Sequence, residues 1–81
     1  MKRKTYSIQS AAGHNATKFA WNSARLHAQS LAIEWFQALG VAGPLQVTIE
    51  HVEKTDGQHT HIAQQFHCAG KSICFVINRT N

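Results

Sequence analysis

The stretch LQVTIEHVEKTDGQHTHIAQQFHCAGKSICFVIN, residues 45–78, contains three segments in which apolar and polar side chains alternate. Alternation with a period of two is typical of β-strands that bury one face. Asp56-Gly57 separates the first two segments and favours a two-residue hairpin turn, because both turn positions need positive φ. Gly70-Lys71, with glycine first as a type II′ turn requires, separates the second segment from the third. The stretch therefore predicts a three-stranded antiparallel meander.

The first turn also predicts which side chains of the meander share a face. Counting outward from it places Val47 opposite Phe66 and His51 opposite Ile62. The second turn would pair Cys68 with Ile73 and Phe66 with Phe75 on the same face. On this apolar face we expect Leu45, Val47, Ile49, Ile62, Phe66, Cys68, Ile73, Phe75 and Ile77.

Residues 15–39 have the periodicity of an amphipathic helix. Asn15 is a candidate N-cap, since its side-chain oxygen can accept a hydrogen bond from an amide of the first turn. Gly40 is the expected end, because glycine adopts the left-handed conformation that closes many helices. At about 100° per residue, one stripe of the helix carries Ala20, Ala24, Ala28, Leu31, Ala32, Trp35 and Leu39. We expect this stripe to pack on the apolar face of the meander.

Residues 1–13 are predicted to form an N-terminal edge strand, in which Tyr6 and Ile8 alternate with polar residues, and a flexible connection. With the meander over residues 44–79, the predicted order is β-α-β-β-β. The chain, residues 1–81, is then a single α+β domain with one long helix packed on a three- to four-stranded antiparallel sheet.

The composition indicates a cytoplasmic protein that does not enter a membrane. No uninterrupted apolar run is long enough for a signal peptide or a membrane span. In a reducing compartment the two cysteines are expected as free thiols. The formal net charge of +4 favours an acidic partner.

Three histidines, His59, His61 and His67, fall within nine residues, and the predicted register places all three on the outer face of the sheet. His59 and His61, with Glu50 as acidic neighbour, are the candidate metal ligands, although zinc needs further ligands close by. The alternative is a solvent-facing or pH-sensitive contact surface, because imidazole titrates near neutrality. We expect no metal and no other cofactor.

Catalytic residues are not indicated by any local pattern. The predicted register sets Cys74 opposite His67, and an adjacent imidazole can activate a thiol. A flat sheet surface, however, provides no pocket and no oxyanion donors. We therefore expect that the protein is not an enzyme.

A second apolar row lies on the helix, about 120° from the centre of the core stripe. Phe19, Leu26 and Ile33 repeat every seven residues among uncharged polar side chains. One sheet cannot cover both sides of a helix, so either the N-terminal segment covers this row or another molecule does. An apolar row with a neutral polar rim is typical of a contact surface. The predicted partner-binding residues are Phe19, Leu26, Ile33, Lys18, Arg25, Asn22 and Gln29. The expected partner is a protein or a ribonucleoprotein, or a second copy of the chain.

The alternative function is that of a small basic DNA- or RNA-binding module. Its candidate residues are the cations of the tail and of the turns, Lys2, Arg3, Lys4, Lys54 and Lys71. Nucleic-acid binding favours a basic stripe or exposed aromatic side chains on strands. Neither feature is evident in the sequence.

One long helix, residues 15–39, packed on an antiparallel meander resembles the layout of several small phage-encoded inhibitors of host defence, including anti-CRISPR proteins. The resemblance covers the whole chain through topology and carries no shared motif. It implies a non-catalytic phage or mobile-element inhibitor that docks on a host nucleic-acid-processing or CRISPR complex.

Overall fold

The computed structural model describes residues 4–80, which form one helix and a five-stranded antiparallel sheet. The elements are β1 Tyr6–Ser10, β2 Asn15–Lys18, α1 Trp21–Ala38, β3 Gln46–Thr55, β4 Gln58–Cys68 and β5 Lys71–Arg79. The strand order across the sheet is β2-β1-β5-β4-β3. The α+β class and the antiparallel sheet are confirmed, whereas the predicted number of three to four strands is too small.

An N-terminal hairpin adds the strand that the sequence did not predict. Strands β1 and β2 pair antiparallel, with Ile8 opposite Ala16. The connection predicted to be flexible within residues 1–13 contributes to the hairpin turn, where the Gly13 amide donates to the Ser10 carbonyl at 3.2 Å. Because β1 also pairs with β5, it lies inside the sheet and not at its edge as predicted.

The helix begins later than the periodicity predicted. Asn15 is not its N-cap, because Asn15–Lys18 pairs with β1 as a strand. The helix starts at Trp21, after Ala20 in an extended conformation and without a side-chain cap. Ala16 lies four residues before Ala20 and therefore continues the helical phase of the sequence, which explains the misassigned boundary.

The helix ends at Ala38, next to the end that Gly40 indicates in the sequence. Gly40 has φ +75°, a left-handed conformation. Its amide donates to the carbonyl of Gln37 at 3.0 Å, and the amide of Val41 donates to that of Phe36 at 3.2 Å. These two bonds define a Schellman motif and satisfy carbonyls that the end of a helix would otherwise leave free.

The core lies between α1 and the face of the sheet that the helix covers, here called the inner face. Three alanines spaced by four residues, Ala24, Ala28 and Ala32, are fully buried. Their small side chains let the helix approach the sheet closely, and larger side chains of the strands fill the layer. The buried apolar residues of the sheet are Tyr6, Ile8, Ile62, Phe66, Cys68, Ile73, Phe75 and Ile77.

Strand β3 lies at the edge of the sheet, beyond the reach of the helix. Among residues 4–80, α1 contacts the other four strands but not β3. Every residue of β3 is exposed, including Val47 and Ile49. The prediction that these two side chains belong to the core is therefore wrong, although they do lie on the inner face opposite Phe66 and Gln64.

Two irregularities interrupt the pairing of β3 with β4. The Asp56-Gly57 turn has positive φ at both positions and sets Thr55 opposite Gln58, as predicted. The register then shifts twice, once between Ile49 and His51 and once between Glu53 and Lys54. The shifts cancel, so both ends of the ladder keep the predicted register while its middle is displaced by one residue.

The turn between β4 and β5 is formed by Ala69 and Gly70, not by Gly70-Lys71. Both residues have positive φ, +50° and +81°, and Cys68 pairs with Lys71. The predicted pairing of Cys68 with Ile73 is therefore wrong by two residues. A shift of two preserves the side-chain alternation, so the last strand still buries its predicted face.

The conformation of Ala69 generates a stability prediction. Replacing Ala69 by glycine removes the steric cost of a left-handed alanine and should raise the free energy of unfolding by about 0.5–1 kcal/mol. Urea denaturation followed by circular dichroism measures this change. Ala63→Gly, inside β4, is the matched control and should lower stability. If Ala69→Gly also lowers stability, the turn does not have the conformation described.

Candidate functional site

An exposed apolar trough separates the helix from the edge strand. Leu26 and Ile33 line its helical side, and Val47, Ile49 and Val52 line its strand side. Leu26 is 64% exposed and Ile49 is 51% exposed, values that are high for large apolar side chains. The trough exists because the sheet is wider than the helix that covers it. Several exposed large apolar side chains on two neighbouring elements are typical of a contact surface.

A cleft with a volume of about 410 Å3 opens at the middle of the trough. It is called here the Arg25 cleft, and its walls are formed by Asn22, Arg25, Leu26, Gln29, Val47, Gln64 and Phe66. Helix α1 supplies the polar rim together with Leu26, while β3 and β4 supply the floor. An apolar wall with a small number of polar groups is a usual composition for a ligand site.

The structure brings four of the seven predicted partner-binding residues together in this cleft, namely Asn22, Arg25, Leu26 and Gln29. Ile33 lies further along the helix, in a depression that it shares with Leu45 and other residues. The remaining two precede the helix. Lys18 ends β2 opposite Tyr6, and Phe19 is 61% exposed.

Gln64 is the residue of the cleft that sequence reasoning missed. Its side chain is 1% exposed, and its Oε1 accepts a hydrogen bond of 3.2 Å from Arg25 Nη2. Its buried Nε2 has no hydrogen-bond partner among the described residues. The signal was present in the register, because Gln64 occupies an inward position of β4 between Ile62 and Phe66.

The candidate metal ligands do not converge. His59 stacks on Trp21 with a centroid distance of 4.7 Å, which places it on the inner face beside the start of the helix. His61 lies on the outer face, where it donates through Nδ1 to Asn78 Oδ1. Glu50 also lies on the outer face, near Cys74, whose ionisation it influences. Within the described part of the chain, no three His, Cys, Asp or Glu side chains gather to hold a metal ion.

The predicted histidine surface is therefore divided between the two faces of the sheet. The register shift near Thr60 turns His59 away from His61, so the expectation that all three histidines share the outer face is wrong. His67 remains on the outer face, opposite Gln46, and its ring nitrogens contact Ser72 and Thr48. His67 therefore connects β4 to β5 through Ser72 and to β3 through Thr48.

The candidate pair of Cys74 and His67 is not formed. Cys74 pairs with Gln65, and His67 pairs with Ser72, because the second turn lies one residue earlier than predicted and shifts the register of β5 by two residues. Both cysteines are free thiols, as expected. Desolvation by burial, and then the negative charge of Glu50, raise the pKa of the Cys74 thiol. A raised pKa keeps the thiol protonated and unreactive.

A serine and a histidine do meet in the first hairpin. Ser10 Oγ and His14 Nδ1 are 2.6 Å apart, and the ring of His14 stacks on Phe75. The same Ser10 oxygen accepts hydrogen bonds from the amides of Ala12 and His14. Because these amides occupy the lone pairs that a nucleophile would use, the pair closes the turn and is not arranged for attack on a substrate.

The cations are concentrated at one end of the sheet. Lys18 and Arg79 both pair with Tyr6, and Lys54 pairs with His59, at the end where the helix begins. Lys4 precedes β1 at the same end. Lys71 lies about 30 Å away, at the other end of β4. The predicted candidates Lys2 and Arg3 lie outside the described residues.

No helix among residues 4–80 is long and apolar enough to cross a membrane. No protein-family model, no curated protein and no solved structure matches the chain. The function must therefore be inferred from the geometry of the chain's own residues.

The effect of Glu50 on Cys74 can be measured by alkylation. Glu50→Gln removes a negative charge that raises the pKa of the Cys74 thiol, so this thiol should react faster with iodoacetamide at about pH 8. The midpoint of its pH–rate profile should move to lower pH. Trypsin cleaves after Lys71 and separates the two cysteines for mass spectrometry.

Glu53→Gln is the matched control for this experiment, because it removes the same charge from another exposed position of β3. The Glu53→Gln variant should alkylate at Cys74 at nearly the same rate as the wild-type protein. An equal acceleration in both variants would mean that Glu50 does not lie close to Cys74.

Proposed function

We propose that this protein is a non-catalytic binding protein that docks on a larger macromolecular partner. The contact surface is the apolar trough, and the Arg25 cleft lies at its centre. The observation that carries the proposal is that large apolar side chains of α1 and β3 are exposed, and that Leu26 and Val47 line the same cleft. A partner that enters the trough would remove this apolar surface from water, and such burial is the main favourable term in association.

The free edge of β3 is a poorer contact than its inner face. Bulges and inward-pointing charges are devices that prevent edge strands from pairing with other chains. Strand β3 has both, since its ladder shifts register around Glu50 and Lys54 lies on the inner face opposite His59. A partner is therefore expected to pack on the side chains of the trough and not to extend the sheet.

A phage or mobile-element inhibitor of a host nucleic-acid-processing or CRISPR complex is the narrower form of this proposal. It rests on the overall layout, a small chain with one helix on an antiparallel sheet. A stable contact of standard size buries about 800 Å2 on each partner. The chain exposes 5126 Å2 in total. A contact of that size would cover roughly a sixth of this surface, consistent with a protein whose main task is to bind.

Charges placed in the trough should prevent docking without unfolding the protein. Leu26→Asp combined with Ile33→Asp places two carboxylates in the contact and should weaken partner binding about 100-fold or more. The circular dichroism spectrum should not change, because both side chains are exposed. Affinity capture from the native host, with quantitative mass spectrometry, measures the loss, and sedimentation separates a partner protein from a second copy.

Ser23→Asp combined with Ala38→Asp is the matched control, because it adds the same charge to exposed positions on the other flank of the helix. This control variant should retain the partner. If the double variant at Leu26 and Ile33 unfolds, these residues belong to the core. If it folds and retains the partner, the trough is not the contact surface.

A second candidate function, nucleic-acid binding, is favoured by the clustered cations. Lys18, Arg79 and Lys54 lie on the inner face at the same end of the sheet as the N-terminus of α1. The positive end of the helix dipole reinforces this cluster, and no acidic residue occupies the first turn. Of the predicted turn lysines, only Lys54 belongs to the cluster.

A mobility-shift assay over a salt series tests this candidate. If the basic end binds phosphates, Lys18→Gln combined with Arg79→Gln should reduce the slope of log affinity against log salt by about two. Lys71→Gln, at the other end of the sheet, should leave the slope unchanged. Weak binding with the same slope in all variants would exclude the basic end as a nucleic-acid site.

A further inference from the structure

The Arg25 cleft contains a buried hydrogen-bond donor that the chain itself does not satisfy. A guanidinium group can only donate, so the bond from Arg25 to Gln64 Oε1 fixes the orientation of the Gln64 amide. Gln64 lines the cleft, and its Nε2 group is a buried donor without a partner among residues 4–80. A buried donor without an acceptor destabilises the folded chain relative to one that is hydrogen-bonded. A ligand that supplies an acceptor at this position would remove that destabilisation.

The charge of the cleft selects the kind of acceptor. Among the described residues that line it, Arg25 alone is charged, and none is acidic. Within the described residues the only contact at ion-pair distance between a basic and an acidic side chain joins His51 to Glu53 at 3.8 Å, and neither residue lines the cleft. The guanidinium is therefore not neutralised by a carboxylate of the described chain. An anionic acceptor would receive hydrogen bonds from Arg25 and Gln64 together, and such charge-assisted bonds are the stronger ones.

The mainly apolar walls of the cleft favour a carboxylate ligand over a phosphate ligand. Leu26, Val47 and Phe66 present apolar surface around the two donors. A phosphate group carries more charge and is usually held by several cations or by a series of backbone amides. One guanidinium in an apolar cleft of about 410 Å3 fits a single carboxylate on an aliphatic stem.

We propose that the Arg25 cleft binds a carboxylate side chain that a protein partner presents within an otherwise apolar segment. This inference rests on the proposed function and names the chemistry of the partner. The carboxylate accepts hydrogen bonds from Arg25 and from Gln64 Nε2. The apolar residues that flank it pack along the trough on Leu26 and Val47.

Nuclear magnetic resonance on the 15N-labelled full chain tests the carboxylate directly, without the partner. The probe is isovalerate, a carboxylate on a short branched stem, and its neutral counterpart is isovaleramide. Isovalerate should shift the Gln64 side-chain amide and the Arg25 Nε–H signals in a saturable manner. Isovaleramide should bind about tenfold more weakly, because the charge-assisted bond is lost.

Two variants and one control make the test specific. Arg25→Gln and Gln64→Leu should each weaken isovalerate binding about tenfold. Gln64→Leu keeps the approximate volume of the side chain. If the Gln64→Leu variant fails to fold, Arg25→Gln alone provides the test. Lys71→Gln removes a cation that lies outside the cleft and outside the basic end, and it should leave the affinity unchanged.

Several results would overturn the carboxylate site. These are equal binding of isovalerate and isovaleramide, shifts confined to Lys18 and the basic end, or tighter binding of inorganic phosphate at Arg25. Partner capture separates this inference from the proposed function. If the Arg25→Gln variant retains the partner at full affinity, the carboxylate site is wrong and docking through the trough stands. If isovalerate binds as expected but the trough variants retain the partner, the docking proposal fails.

Discussion

The width of one helix relative to five strands is the constraint on which the rest of the structure depends. A helix with its side chains is about 10 Å wide, whereas five strands spaced by about 4.8 Å span roughly 19 Å between the outer two. The chain has only one helix among its described residues to cover this sheet, and α1 lies against β1, β5, β4 and β2. Strand β3 is left with its apolar side chains in water. The trough, the cleft and the proposed contact surface all result from this mismatch.

The two register shifts in the β3–β4 ladder determine what each face of the sheet presents. The shift after Ile49 turns Val52 to the inner face and gives the trough its third apolar side chain on β3. The shift near Thr60 turns His59 towards Trp21 and removes it from the outer face. A bulge adds one residue to one strand and so reverses the facing of the residues beyond it. The outer face keeps a polar surface that includes Glu50 and Glu53, while the inner face gains apolar and aromatic side chains.

Much of the fold could be predicted from short-range chemistry, and the failures have identifiable causes. The Asp56-Gly57 turn and the helix end at Gly40 were predictable because few residues adopt positive φ without cost. The turn at Ala69 and Gly70 was not predictable, because alanine is disfavoured at positive φ. The sequence pattern instead indicates Gly70 as the first residue of the turn. Periodicity could not separate Ala16 in a strand from a helical residue, nor reveal how many strands the helix covers.

The candidate site could be predicted only on its helical side, from the spacing of Leu26 and Ile33. Its strand side depends on how far α1 lies from β3, a distance that no local pattern encodes. Methyl resonances in the presence of a soluble paramagnetic agent, at a concentration where the chain is monomeric, measure this exposure directly. Val47 and Ile49 should relax as strongly as Leu26, and Ile62 should be protected. Protection of Val47 and Ile49 equal to that of Ile62 would show that the trough is closed and would contradict the account.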